Sequence, residues 1–439
     1  MLDTLKSAWK LPDLRKRLLF TLMIIVVFRI GAALPVPFLN ASAMAGFGDG
    51  NLFGYLNVMT GGAFQNGTLF ALSITPYITA SIVIQLLTVA IPALEKLSKE
   101  GEEGRKKLKK IERYVTVGLG LMEAFGYYRI LKSRSAIIDG GNAFGNFLIP
   151  VTIVLSFTAG AMLCVWLGER IDEKGIGNGI SMLLFAGIIS RAPTVVITMV
   201  QYIVAGFDMM KSGNAGQGMR YIIGVPVIAV LFIFMIAFII LMTKAERRIP
   251  IQYAKRVVGR KMYGGQSSHL PISVNLSGVL PVIFASSLLA IPTTIGAFVT
   301  PKEGGFMEKM LSALNYDSPF YALIYFVLII AFAYFYVAIQ YNPIEMSNNL
   351  RKNNGAIPGI RPGKPTSDFI GKIISKVTMI GALFLAVVAI LPIGVAAISG
   401  INGVSIGGTT VIIVVGVALD TARQLESEMM MRHYKGFLE

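Results

Sequence analysis

The chain has 439 residues, 54% hydrophobic and 15% charged, with a mean hydropathy of +0.66 and a net charge of +16. That balance excludes a soluble domain of this size and describes a polytopic helical membrane protein. The one cysteine, Cys164, excludes an intrachain disulfide, and two isolated histidines, His269 and His433, are too few for a metal centre.

Residues 1–17 place Leu2, Leu5, Trp9 and Leu14 among basic residues, the pattern of an amphipathic helix on an anionic membrane surface. Lys16-Arg17 precede a long apolar segment with no small-residue cleavage site after it, so a cleaved signal peptide is not expected. Window hydropathy predicts ten spans. Those of the N-terminal half, residues 18–203, are Leu18–Leu34, Ile74–Leu94, Arg113–Leu131, Phe147–Leu167 and Ile176–Ile203. Those of the C-terminal half, residues 204–422, are Tyr221–Met242, Val274–Val299, Phe320–Tyr341, Ile373–Leu391 and Thr410–Asp420 with its flanks. Residues 423–439 form a tail. The expected fold class is an all-α polytopic membrane protein.

The stretch from Gly50 to Leu94 carries no charged residue and is more than twice the roughly 20 residues that cross a bilayer core. Its first part, Asn57 to Thr68, is too rich in Gly and amides for a lipid-facing helix. Irregular backbone at membrane depth is tolerated only when buried in protein or lining a water-filled cavity. A short half-inserted segment is therefore expected, followed by a helix from Pro76 that lines the same space with Thr79, Ser81, Gln85 and Thr88.

With the N-terminus in the cytosol, 30 of the 40 Lys and Arg residues fall on the inner side and 6 on the outer. This satisfies the positive-inside rule with both termini cytosolic. Topology alone does not require the long basic inner loops 244–273 and 342–372, which suit a docking surface for a large cytosolic partner as well as a solvated orientation signal. Five spans per half is an odd number, so the halves are inverted. The second span of each starts with a Pro- or Gly-interrupted stretch, at Ser73–Ile78 and Asn275–Ile283, which points to a path at the repeat interface.

Nothing in the chain has the look of a catalytic site. Gly175-Ile176-Gly177-Asn178-Gly179 precedes a span rather than joining a strand to a helix, so it reads as a flexible helix start and not as a phosphate loop. Glu123 and Arg29 lie inside spans, where a central charge costs about 2.5–3.5 kcal/mol for Arg, so both should face the protein interior. Too few such residues are present for a proton or ion pathway. Ile74 and Ile78, four apart, share one helix face.

The motifs Val27-Phe28-Arg29-Ile30-Gly31, Pro76-Tyr77-Ile78-Thr79-Ala80-Ser81-Ile82 and Gly175-Ile176-Gly177-Asn178-Gly179-Ile180-Ser181 resemble those of a known family. So do Gln266-Ser267-Ser268-His269-Leu270-Pro271, Pro281-Val282-Ile283-Phe284-Ala285-Ser286-Ser287 and Pro358-Gly359-Ile360-Arg361-Pro362-Gly363. In this order, from Arg17 to about Gly436, the chain resembles the SecY family of channel subunits of the Sec protein translocase.

The resemblance implies ten transmembrane helices in two pseudo-symmetric halves around an hourglass pore, with a re-entrant plug helix. It places the plug at Gly61-Gly62-Ala63-Phe64-Gln65-Asn66-Gly67-Thr68-Leu69 and an apolar pore ring at Ile74, Ile78, Leu184, Ile283 and Ile413. Leu184 stands where the family most often has isoleucine, which keeps the ring apolar. Thr79, Glu123 and Ile291 would lie along a lateral gate between spans two and three and spans seven and eight. Arg247, Arg248, Lys255 and Arg361 fall where the family docks its cytosolic partners.

The partners implied are the small membrane subunits SecE and SecG, the motor ATPase SecA, the ribosome with its RNA, signal sequences, nascent chains and membrane lipids. The implied location is the bacterial plasma (inner) membrane, with no cofactor, no metal and no catalysis. A secondary transporter would share the inverted repeat but needs a polar midplane site. A membrane enzyme needs a catalytic constellation.

Overall fold

Proline sets the start of many helices, because its fixed φ suits the first turn and its missing N–H is not needed there. The computed structural model describes residues 9–40, 57, 60–138, 141, 143–253, 256–258, 261–263, 267–298, 305–314, 318–399 and 407–435. The N-terminal half holds α1 (Pro12–Gly31), α2 (Thr75–Ala90), α3 (Pro92–Lys99), α4 (Glu102–Ser133), α5 (Ala143–Lys174), α6 (Gly179–Ile189) and α7 (Ala192–Lys211). The C-terminal half holds α8 (Ala215–Lys244), α9 (Leu280–Phe298), α10 (Phe306–Ala313), α11 (Pro319–Gln340), α12 (Pro343–Lys352), α13 (Lys364–Ser399) and α14 (Gly408–Lys435).

Among the described residues, six segments are long and apolar enough to cross a membrane: α5, the α6–α7 pair, α8, α11 with α12, α13 and α14. The bent pair α2 and α3 makes a seventh. Helices α1, α4 and α9 occupy the other three expected spans. The second span ends earlier than its hydropathy predicts. The chain turns by 103° between α2 and α3, and Leu94 lies in the second of them. Ile91 precedes Pro92 and is extended (φ −110°, ψ 113°), as the proline ring demands of its predecessor. At the other end α14 continues as helix to Lys435, through most of the expected tail.

Each half has its own core. Phe64, Leu72, Tyr127, Leu131, Ile153 and Phe157 anchor the first. Met235, Ile239, Val282, Tyr325, Leu385 and Ile412 anchor the second. The halves meet where α6 packs on α14, and again where α9 packs on both α2 and α4. A third cluster lies at this junction and draws residues from α1, α2, α5, α6, α9 and α14. Large apolar side chains such as Ile223, Val230, Ile233, Phe234 and Leu241 remain exposed on α8. On a helix of this length such a surface suits lipid better than water.

The Gly-rich stretch before α6 is a tightly bonded turn, not a flexible start. Thr21 Oγ1 accepts from the Ile176 N–H (3.0 Å), Gln424 Oε1 from Gly177 (3.1 Å), Asp172 Oδ1 from Gly179 (2.6 Å) and Asn178 Oδ1 from Ser181 (3.1 Å). Asp172 of α5 and the N-cap Asn178 thereby satisfy donors that the N-terminus of α6 leaves open, while α1 and α14 bond the turn before it.

The two long loops hold a small sheet that hydropathy did not reveal. Strand β1 (Glu246–Tyr253) pairs antiparallel with β4 (Ser267–Ser273) and with β5 (Gly355–Ala356), while β2 (Arg256–Val258) and β3 (Lys261–Tyr263) form a separate hairpin. Ile249 and Ile251 alternate inward along β1, and Ile249 joins Ile272, Ile357, Ile370 and Ile374 in a core beneath the sheet. The loop after α8 and the loop after α12 are thus one platform.

Candidate functional site

The site grows from the loop that follows α1. Leu34 O accepts from the Leu69 N–H (2.8 Å), Gly67 O accepts from Val36 (3.1 Å), and Pro35 bridges Thr68. The chain therefore re-enters beside α1 and is stitched there. Leu69 then runs against α5, where a Cβ on Gly160 would sit 1.9 Å from the Leu69 carbonyl oxygen. Only glycine admits that approach.

From Thr60 to Gly67 the backbone runs in consecutive turns, with Asn57 helical before it. The short helix expected at Gly61–Leu69 is therefore not formed at those residues. Gly61 (φ 67°), Gly62 (φ 90°) and Gly67 (φ 57°) occupy the left-handed region, which a right-handed helix cannot contain. Side chains replace the missing helical bonds. Asn57 Oδ1 accepts from the Gln65 N–H (3.0 Å), Asn57 Nδ2 donates to Gln65 Oε1 (2.8 Å), and Thr60 Oγ1 accepts from Phe64 N–H (3.1 Å). Thr68, polar as it is, is 2% exposed and donates to the Ala63 carbonyl (3.2 Å). Gln65 is half-buried and Asn66 exposed, so the turn has one wet side.

The buried side of the turn faces two cores at once. Phe64 packs into the N-terminal half, its ring 4.5 Å from that of Tyr127, whose hydroxyl donates to the Phe64 carbonyl. Ala63 joins the central cluster. That cluster contains all five residues expected in the ring: Ile74, Leu184, Ile283 and Ile413 are buried, and Ile78 packs against them half-buried. They come from four helices or helix starts in both halves: the N-cap and first turn of α2, α6, α9 and α14. Phe70, stacked on Phe28 with ring centroids 5.6 Å apart, lies in the same cluster.

Arg29 turns inward as its cost in a membrane requires. Its Nη1 is buried and makes no hydrogen bond among the described residues. It lies 2.5 Å from where a Cβ on Gly61 would stand. Ser190 Oγ and the Gly187 carbonyl close the same space at 2.6 and 2.7 Å. Space and the positive φ both require glycine at 61.

Thr79 on α2, Glu123 on α4 and Ile291 on α9 occupy the three helices that meet at the second junction of the halves. Thr79 and Glu123 are half-buried, Ile291 is 44% exposed, and Thr79 Oγ1 donates to the Thr75 carbonyl (3.1 Å). Arg247 and Arg248 are exposed on β1, and Arg361 is exposed on the turn between β5 and α13. Lys255 lies outside the described residues, as do residues 1–8 of the expected N-terminal helix. Asn57, Thr60 and Tyr127 were missed from the sequence. Tyr127 is one of several aromatics on α4, and only its neighbours in space distinguish it.

Comparison with known proteins points one way. The SecY family model matches residues 68–422. The protein translocase subunit SecY of Streptomyces galbus is 42% identical over 453 residues, an alignment covering 100% of both chains. A solved structure described as that of a protein conducting channel has a TM-score of 0.64 at 20% identity, covering 94% of this chain and 92% of that one. The idle yeast Ssh1 complex bound to the yeast 80S ribosome contains a chain with a TM-score of 0.60 at 13% identity, covering 95% of this chain and 89% of that one. At these identities the two structures establish likeness of fold.

Proposed function

The chain belongs to the SecY family of protein translocase subunits, and from that premise we propose how its residues divide the work of a protein-conducting channel. The observation that carries the reading is the central cluster, where aliphatic side chains from both halves converge under a turn inserted from α1's side. Ile74, Ile78, Leu184, Ile283 and Ile413 form the constriction. An aliphatic ring seals by excluding water and closes around a moving chain without binding one sequence. Gly61–Leu69 is the plug that closes it at rest.

The junction of α9 with α2 and α4 is the lateral gate. Through it, signal sequences and membrane segments of about 20 apolar residues leave water for lipid. The platform that bears Arg247, Arg248 and Arg361 docks the cytosolic partner, either the motor ATPase SecA or the ribosome with its RNA. The ribosome-bound state of the yeast relative supports the second. Exposed apolar surface on the outer helices accommodates lipid and the small subunits SecE and SecG. The membrane is the bacterial plasma membrane, with both termini cytosolic, an orientation that the distribution of basic residues supports.

The direct test is reconstitution of the chain with its small subunits in proteoliposomes supplied with the motor ATPase and ATP. A precursor bearing a signal sequence should become protected from protease, and the same precursor without one should not. Protection no greater than in protein-free vesicles sinks the reading. Uptake of a small solute without movement of polypeptide would favour the secondary transporter.

The gate carries its own prediction. Glu123 is half-buried on α4, which packs against α9. Changing it to Gln or Leu alters the polarity of the seam, and a change of about 1.4 kcal/mol shifts a two-state gate about tenfold. Export of precursors with weak signals should change by that order while strong signals pass as before. Unchanged export of both classes would reduce Glu123 to a structural contact.

A further inference from the structure

Helix α4 touches both the gate seam and the plug, and Tyr127 is its polar point of contact with the latter. The Tyr127 side chain is 3% exposed. Its hydroxyl donates to the Phe64 carbonyl, which also accepts from the Gly67 N–H (3.3 Å). Its ring is held between Phe64 and the edge of Phe157 on α5, at centroid distances of 4.5 and 4.9 Å. Four residues earlier on the same helix stands Glu123, and α4 as a whole packs against α9. The other end of the turn is tied elsewhere, to Leu34–Val36 and to Gly160 of α5.

We propose that Tyr127 is a latch through which α4 holds the plug seated, so that a segment wedged between α4 and α9 acts on the helix that also retains Phe64. The inference rests on the reading of Gly61–Leu69 as a plug and adds the residue that ties it to the gate. In the seated state the hydroxyl is out of water and is satisfied by a backbone carbonyl. A carbonyl partner does not depend on which side chain the plug carries at 64. Once the turn leaves, the hydroxyl regains water in the opened funnel, so release costs the net strength of one hydrogen bond and the ring contact. Tyr127 is a positioning residue and does not touch the translocating chain at rest.

Tyr127→Phe keeps the ring and removes the donor. In the complete translocase in planar bilayers it should raise the resting conductance about two- to tenfold, the range a net hydrogen bond corresponds to. Labelling of Ala63→Cys by a membrane-impermeant maleimide should quicken by the same factor. Ala63 is 1% exposed at rest, and the native Cys164 is buried and contributes little labelling. The decisive comparison repeats Tyr127→Phe in a channel whose Gly61–Gly67 is replaced by a Gly-Ser linker. A latch has nothing left to hold there, so no further rise is expected. An equal rise in both backgrounds overturns the latch and leaves the plug standing. No rise in conductance or labelling in the intact channel overturns it also, as does failure of the variant to accumulate, which would assign Tyr127 to folding. A linker channel that does not leak overturns the plug reading itself.

Discussion

Replacing Gly61–Gly67 with a short Gly-Ser linker is expected to raise the resting ion conductance of the channel at least about tenfold, which needs only about 1.4 kcal/mol of seating free energy. The seat offers more than that. Ala63 and Phe64 are 1% and 4% exposed, and the turn is closed internally by the Asn57 and Thr60 side chains. Precursors with defective signal sequences should also be exported more readily, because the resting state no longer has a plug to displace.

The linker should begin after Thr60 and end before Thr68. Thr68 and Leu69 are stitched to the loop after α1, and their loss would disturb the scaffold. A stability cost is still expected. Phe64 belongs to the core of the N-terminal half, and removing a buried Phe costs about 3–5 kcal/mol where the site cannot collapse. The spans therefore depend on this segment more than its loop-like composition suggests. Conductance in planar bilayers together with membrane abundance gives the answer. Normal abundance with no added leak excludes a sealing role, and loss of the protein favours a structural prop.

Arg361→Glu is expected to block export while leaving the folded channel in the membrane. Arg361 is exposed on a turn bounded by Gly359 (φ 80°) and Gly363 (φ 105°), and its carbonyl accepts from Thr366 Oγ1 (2.8 Å). Ser347 of α12 donates to the Gly363 carbonyl (3.0 Å). The backbone is thus preorganised while the side chain points outward. Losing one partner of a desolvated interfacial charge pair costs about 2–5 kcal/mol, and reversal adds like-charge repulsion. Partner affinity should fall by about 30-fold or more, since every 1.4 kcal/mol is about tenfold. Folding should be unaffected, because the residue is exposed. The measurement is export of a secreted reporter beside the abundance of the variant, and wild-type export at normal abundance would defeat the prediction. Arg247→Glu, on the same sheet platform, provides a second position for the same measurement.

Class and spans were legible in the sequence, and the proposed orientation argued from it, because all rest on quantities that add along the chain. Apolar runs of about 20 residues and the side on which basic residues gather need no knowledge of what packs against what. Irregularity of the segment before α2 was legible for the same reason, since its Gly and amide content cannot face lipid. The order of the motifs carried the family, and with it the five residues that gather in the central cluster.

How the proposed plug is built was decided only in three dimensions. Three glycines with positive φ turn the expected helix into a chain of turns, and the polarity of Thr68 gave no hint that its hydroxyl would be buried against the Ala63 carbonyl. The bend after Ala90 could be read from Pro92, but its 103° required α3 to find α4. Strand β1 meets β5 across about a hundred residues of sequence, a pairing that local periodicity cannot register. Tyr127 shows the same limit from the other side. Its neighbours Phe125 and Tyr128 have similar chemistry, and only Phe64, sixty-three residues away, marks it out. Contacts distant in sequence depend on the relative placement of whole helices, and that placement is set by the sum of their packing.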